Sequence, residues 1–359
     1  MWSRRRGVEC SAVTTVLGIE TSCDETGVAL VRDGELLADV TATSMDEYAR
    51  FGGIIPEIAS RAHLESMVPT LSAALEKANV SLSEVDAIAV TAGPGLIGSL
   101  TVGVSAAKAL SLALGKPIYG ANHILGHLAV DELVDGPFPE HFVGLVVSGG
   151  HSSILDVHDI TGDVHEMGGT IDDAAGEAFD KVGRILGLPY PGGVHIDRVS
   201  REEGDRTAIR FPRGLEGGKN KAKHPYDFSF SGLKTAVARY VEGLETRGED
   251  IPVANIAAGF QEAIDDTLSE KSLNACEAVG ADTLVVGGGF SANSRLRALL
   301  AERAAKRGIT VRIPPIRYCT DNGAMIAALG YKLVTAGVAP SPLDMTVDTN
   351  MDLEQPVMA

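Results

Sequence analysis

The chain has no two cysteines close together: Cys10, Cys23, Cys276 and Cys319 are scattered through 359 residues with no C-x-x-C pair. That spacing argues against a disulfide framework and a zinc ribbon, and points to a reducing compartment, the cytoplasm. No run approaches the roughly 18 continuous apolar residues of a membrane span, so no membrane partner is expected. Arg4-Arg5-Arg6 is not followed by the apolar stretch of a secretory signal, and residues 1–15 read as a disordered extension or an over-long start. Positive charge is also short. With 31 Lys/Arg against 48 Asp/Glu the net charge is −17, which opposes non-specific nucleic-acid binding and leaves any RNA partner to a local basic patch or a second subunit. Aromatics make up 5% and apolar residues 45%, the balance of an α/β enzyme long enough for two domains.

What is present begins with a β-meander. Val16 to Glu20, Gly27 to Val31 and Leu36 to Thr41 read as strands, with a polar loop at Thr21 to Thr26 and an Asp33-Gly34 turn. A helix around Pro56 to Glu76, a strand at Ala87 to Thr91 and a helix from Ile97 to Leu114 follow, and this alternation implies a buried mixed sheet. The pattern restarts at Phe142 to Val147, with a Ser148-Gly149-Gly150-His151-Ser152 loop, a strand at Ser153 to His158 and a Thr161-Gly162-Asp163 turn. Two copies of strand, hydroxyl/Gly loop, strand, turn, strand indicate a duplicated domain, with lobe I at 16–130 plus 323–352 and lobe II at 131–322. Ligands in such folds sit between the lobes.

The second half reads as a helix at Asp172 to Leu186, a polar stretch from Pro191-Gly192-Gly193 through Lys223, helices at Gly232 to Leu244 and Pro252 to Val279, and a buried strand at Thr283 to Val286. Gly287-Gly288-Gly289 then leads into a helix at Ser291 to Arg307, and Asn322 to Thr335 is the last helix. The tail from Pro340 has no strong pattern. Neither G-x-x-x-x-G-K-[ST] nor G-x-G-x-x-G occurs, although the Gly287 to Asn293 segment has the strand, Gly turn and helix N-terminus of a phosphate site. A tight turn alone accounts for it equally simply.

His123-Ile124-Leu125-Gly126-His127 places two imidazoles at i and i+4, on one face of a helix, as two metal ligands or as two half-buried histidines. A third ligand must come through the fold, and Asp321 is the best-placed carboxylate. The Glu that a zinc peptidase carries after its first His is absent: Ile124 stands there, so peptide hydrolysis loses its general base. Asp173, Glu177, Asp180 and Arg184 share a helix stripe, either a solvated face or one that offers Asp180 to a ligand. Asp197 to Arg239 holds ten Lys/Arg against six Asp/Glu, with Lys219, Lys221 and Lys223 at its centre, a tRNA-contact candidate or a solvated loop.

Gly18 to Thr26, Thr91 to Gly95, His123 to His127, Ser148 to His151, Ile171 to Lys181, Tyr190 to Gly193, Phe228 to Thr235 and Cys319 to Ala324 together resemble the bacterial TsaD family, over roughly Val16 to Pro340. A Lys-rich insertion at Gly217 to His224 departs from the family pattern. The resemblance implies an actin-like, Hsp70-like ATPase fold of two RNase H-like lobes. It also implies a transferase that moves a threonylcarbamoyl group from threonylcarbamoyl-adenylate to N6 of adenosine 37 in tRNAs reading codons that begin with A, releasing AMP.

By the same resemblance His123, His127 and Asp321 hold one divalent metal, Fe2+ first, with Zn2+ and Mg2+ as alternatives. Val146, Val147, Ser148, Gly149, Gly150, Asp180, Gly193, Asp197 and Asn293 would hold the adenylate, and Asp24 and Glu25 are catalytic candidates. TsaB-like and TsaE-like proteins are the implied partners. The rival functions are an ATPase or small-molecule kinase on the same fold, a metallopeptidase, and a scaffold without catalysis.

Overall fold

The computed structural model describes residues 14–44 and 55–358. The expected N-terminal extension, as far as residue 13, lies outside them. Strands β1 (Thr15–Glu20), β2 (Glu25–Arg32), β3 (Glu35–Thr43), β4 (Ala87–Gly93) and β5 (Ile118–Asn122) form one sheet in the order β3-β2-β1-β4-β5. The β1/β2 and β2/β3 pairs are antiparallel, the β1/β4 and β4/β5 pairs parallel. Strands β6 (Phe142–Val147), β7 (Ser152–Asp159), β8 (Asp163–Gly169), β9 (Thr283–Gly287) and β10 (Thr310–Arg312) repeat that order as β8-β7-β6-β9-β10, with the same antiparallel and parallel pairings. Identical connectivity in both halves is the duplication expected of two RNase H-like units. Asp33 and Gly34 both take positive φ, 51° and 82°, the mirror-image turn that closes a two-residue hairpin without splaying its strands.

In chain order the helices are α1 (Pro56–Ala78), α2 (Ile97–Leu114), α3 (His123–Ala129), α4 (Glu132–Asp135), α5 (Ala175–Ile185), α6 (Gly192–Glu202), α7 (Lys219–Lys223), α8 (Ser231–Arg247), α9 (Val253–Val279), α10 (Ser294–Arg307) and α11 (Gly323–Thr335). Helices α1 and α2 cover the outer face of the first sheet, where Leu17, Ile19, Leu30, Ile88 and Val104 are buried together. Between the two sheets a second core joins Val16, Ala29 and Ala89 to Val146 and Leu155 through the apolar residues of α3 and α11. The histidine pair therefore sits on a short helix wedged between the halves.

Several expectations need correction. Helix α2 has a mean hydropathy of 1.5 over 18 residues, enough by length and composition for a membrane span, where no such stretch was expected. It packs on β4 and α1 through Ser99, Leu100, Gly103, Val104, Ala107 and Ser111. The polar stretch after Pro191 contains α6, whose two leading glycines and few apolar residues hide it from propensity rules. Asp173 lies before α5 rather than on its stripe, because the helix starts at Ala175. A 3-10 turn at Gly289–Ala292 delays the helix expected from Ser291 until Ser294. Strands β5 and β10 are further elements that the sequence reading did not include. The tail is ordered: Met358 N–H donates to Gly120 O and Asn122 N–H to Pro356 O, so it runs along β5.

Candidate metal centre

Asn122 ends β5 and caps α3, its side chain accepting from Ile124 N and Leu125 N at 2.9 and 3.3 Å. An N-cap satisfies amides that the first turn leaves without partners, and here it starts the helix at His123. One turn later His127 projects on the same side, with ring centroids 4.7 Å apart and ring planes at 74°. Asn322 in turn caps α11 by accepting from Met325 N, which sets Asp321 immediately before that helix.

Asp321 Oδ1 lies 3.7 Å from His123 Nε2 and 3.3 Å from His127 Nε2. Four donors about 2.0–2.1 Å from a tetrahedral metal stand about 3.3 Å from one another, so the spacing suits coordination. His127 Nδ1 is buried without a hydrogen-bond partner among the described residues, and the buried Nε2 faces Asp321 Oδ1. Buried polar atoms seldom lack partners, so this donor set fits a cation. Ile124, where a peptidase would carry its base, is fully buried in apolar surroundings.

Glu20, at the end of β1, has no solvent exposure and accepts from Ser22 N at 2.5 Å, from Thr91 Oγ1, and from His123 Nδ1 at 3.2 Å. A carboxylate on the far nitrogen fixes the tautomer that leaves Nε2 free for a metal. Ser22 Oγ lies 3.1 Å from the same Nδ1. Sequence reading missed this role of Glu20, which strand alternation alone does not reveal. His63 of α1 was missed as well: Thr26 Oγ1 lies 2.8 Å from its Nδ1 and Cys23 O lies 3.1 Å from its Nε2. With Leu96 N donating to Ser22 O and Thr21 Oγ1 to Ser99 O, the Thr21 to Thr26 loop is tied to α1 and α2.

The electrostatics follow from crowding acids around two imidazoles. Burial opposes a charge on His123, but Asp321 and Glu20 outweigh it and lift its pKa to about 9. Burial likewise opposes charge on Asp321, yet His123 and His127 hold its pKa at about 2. Glu25 is pushed up to about 11 by burial, by its hydrogen bond with Asp24 and by the Asp321 charge, and so keeps its proton. Burial and the neighbouring acids also keep the Cys23 thiol protonated. His151 is driven down to about 4 by burial and by His123 and His127. Tyr190 is raised to about 12 by burial, then by Asp180, Asp24, Cys23 and Glu25. Ser22 of the first half and Gly287 of the second both stand against the histidine helix.

The remaining candidate residues divide into three places. Val146 and Val147 are buried in β6, while Gly149 and Gly150 have open space where a side chain would stand, as does Gly193. Asp180 accepts from Gly192 N at 2.7 Å, and its carboxyl is shifted up by burial against that contact. Asp197 accepts from Gln261 Nε2, Ser294 N and Ser294 Oγ, and Asn293 accepts from Gln261 Nε2 while capping α10. Asp197, Gln261, Glu262, Ser294 and Arg295 line a cavity of about 250 Å³. Lys221 and Lys223 are exposed on α7, and Lys219 begins that helix. Gly287 and Gly288 close the join: a Cβ at Gly287 would stand 2.6 Å from His127 O, and Gly288 takes a φ of 88°.

Residues 35–328 match the model of the family described as TsaD, tRNA N6-adenosine threonylcarbamoyltransferase. The tRNA N6-adenosine threonylcarbamoyltransferase of Bifidobacterium longum is 57% identical over 338 residues, covering 94% of this chain and 97% of that protein. The enzyme of the same name from Corynebacterium diphtheriae is 51% identical over 349 residues, covering 96% and 99%. Among solved structures, HypF from T. kodakarensis shares the fold with a TM-score of 0.62 at 11% identity, over 90% of this chain and 48% of that one.

Proposed function

The chain belongs to the TsaD family of tRNA N6-adenosine threonylcarbamoyltransferases, and from that membership we propose how its residues serve the transfer. The protein is a tRNA N6-adenosine threonylcarbamoyltransferase. In our reading the donor is threonylcarbamoyl-adenylate, the acceptor is the exocyclic amine of adenosine 37 in tRNAs reading codons that begin with A, and AMP leaves. The observation that supports this reading is the meeting of His123, His127 and Asp321 within ligand distance of one another.

A divalent metal held by these three, Fe2+ in our reading, would supply Lewis acidity toward carbamoyl and carboxylate oxygens. Glu20 orients His123. Asp24 and Glu25 are the candidate catalytic carboxylates, with burial and the neighbouring acids pushing the Glu25 carboxyl up. The amides of Ser148, Gly149 and Gly150 and the open side of Gly193 suit close approach of a phosphate, since no side chain intervenes. The cavity beside Asp197 and Asn293 suits a nucleoside, with Asp197 and Glu262 as acceptors for hydroxyls. A kinase of this fold would have no task for two imidazoles and a carboxylate, and a peptidase would lack its base.

For partners, we infer that the apolar outer faces of α1 and α2 receive a TsaB-like subunit, with a TsaE-like protein completing the assembly. Leu64 and Val68 on α1 and Ile97 and Leu112 on α2 are each about two-thirds exposed, and these are the apolar side chains such a subunit would cover. Lys219, Lys221 and Lys223 would contact tRNA phosphates. We place the protein in the cytoplasm, where its tRNA substrate is found.

The test is reconstitution of purified protein with unmodified tRNA, threonine, bicarbonate, ATP and the partner proteins, followed by nucleoside mass spectrometry. Threonylcarbamoyladenosine formed only when this chain is present supports the reading, and its absence in the complete mixture sinks it. Replacing the three lysines with Ala should lower tRNA affinity and flatten its salt dependence by about 0.7 to 0.9 log units per lost contact.

A further inference from the structure

The hairpin of β6 and β7 carries a second convergent donor set that the transfer reaction does not use. Pairing of Phe142 with Val157 and of Val143 with Asp156 sets His141 across the ladder from His158. Asp156 precedes His158 by two residues, which puts both on the same face of the sheet. His141 Nε2 lies 2.7 Å from Asp156 Oδ1, and His158 Nε2 lies 3.8 Å from Asp156 Oδ2. The two rings stack with centroids 4.2 Å apart and planes 9° from parallel. Two imidazoles thus share one carboxylate, each addressing a different oxygen.

We propose that His141, Asp156 and His158 form a second, peripheral site for a divalent transition metal of the zinc class. The donor chemistry suits it: two neutral imidazoles and one carboxylate leave one position open to water. The three donor atoms lie within 4.8 Å of one another, and the separation of tetrahedral ligands, about 3.3 Å, falls between the two observed nitrogen–oxygen spacings. Parallel rings cannot both present a nitrogen in plane to one ion, so one ring must turn edge-on. His158 has room to turn, because its side chain is 46% exposed, against 25% for His141 and 18% for Asp156. On binding, the metal takes the place of the proton on His141 Nε2, and the neutral ring keeps that proton by carrying it on Nδ1, exchanged through solvent.

The site lies at the opposite end of β6 from the Val146 to Gly150 segment, about 17 Å away along a six-residue strand. It is therefore separate from the centre formed by His123, His127 and Asp321. Its expected consequence is to pin the open end of the hairpin, and to bind more weakly than the buried centre because water competes for every donor.

Cobalt titration followed by visible absorption tests this on the full chain. Wild type should take up two equivalents, one tightly and one weakly. His158→Ala and Asp156→Asn should each lose the weak one and keep the tight one, with tRNA modification unchanged. Zn2+ beyond one equivalent should raise the melting temperature of wild type and not of either variant. A wild type that saturates with one equivalent, or variants that still bind two, would overturn the proposal.

Discussion

The two histidine and aspartate clusters share a donor set and differ in how the chain assembles and shields them. His141, Asp156 and His158 are delivered by one hairpin and face solvent. His123 and His127 meet a carboxylate that arrives from the other end of the chain, inside a core between two sheets. The buried cluster sets the charged Glu20 and Asp321 beside His123, with the protonated Glu25 close by. Like charges in a low dielectric repel strongly, so a cation there relieves a strain that water relieves at the surface. Burial turns the same three side chains from a hydrated cluster into a demanding site.

The sharpest break in that contrast comes from His127→Ala. It should abolish tight metal binding and threonylcarbamoyl transfer, as read by elemental analysis and nucleoside mass spectrometry, whereas His158→Ala should leave both intact. Equal metal content in wild type and His127→Ala would remove His127 from the ligand set.

Glu20→Gln comes next. An amide cannot accept from Ser22 N, Thr91 Oγ1 and His123 Nδ1 together, so metal affinity should fall by about 10 to 100-fold. Isothermal titration reads this directly, and an unchanged affinity would deny Glu20 its orienting role.

The pH dependence should separate the clusters further. The raised pKa of His123 means that a proton, kept below pH about 9, must leave when the metal enters. Asp321, held at about 2, adds no such competition above that pH. Affinity at the buried site should therefore rise about tenfold per pH unit up to about 9 and fall by the same factor as the pH drops. A flat profile from pH 6.5 to 9 would contradict the coupling.

The smallest effect tests the rigidity of the buried site. Gly287→Ala drives a methyl against the His127 carbonyl and should cost about 1–3 kcal/mol of stability while loosening the metal. Gly149→Ala meets nothing within 4 Å and should be close to neutral for thermal stability. Calorimetry on the two variants decides whether the wedge between sheets holds the ligand helix in place.

Much of this was legible from local pattern. The i, i+4 histidines, the strand and turn alternation and the repeat at Phe142 are all written in residues a few positions apart, where helical and strand periodicity act. Helix α6 escaped because its glycines and polar residues carry little intrinsic preference, and its position comes instead from packing on α9 and from the Asp180 contact at its first amide. Exposure was equally hidden: composition does not distinguish a histidine cluster in the core from one on a hairpin. That Glu20 lies on His123 Nδ1 and that Asp321 meets both His123 and His127 depend on segments far apart in the chain. Their meeting is set by how two copies of one sheet close on α3 and α11, an outcome of non-local packing that no short window of sequence contains.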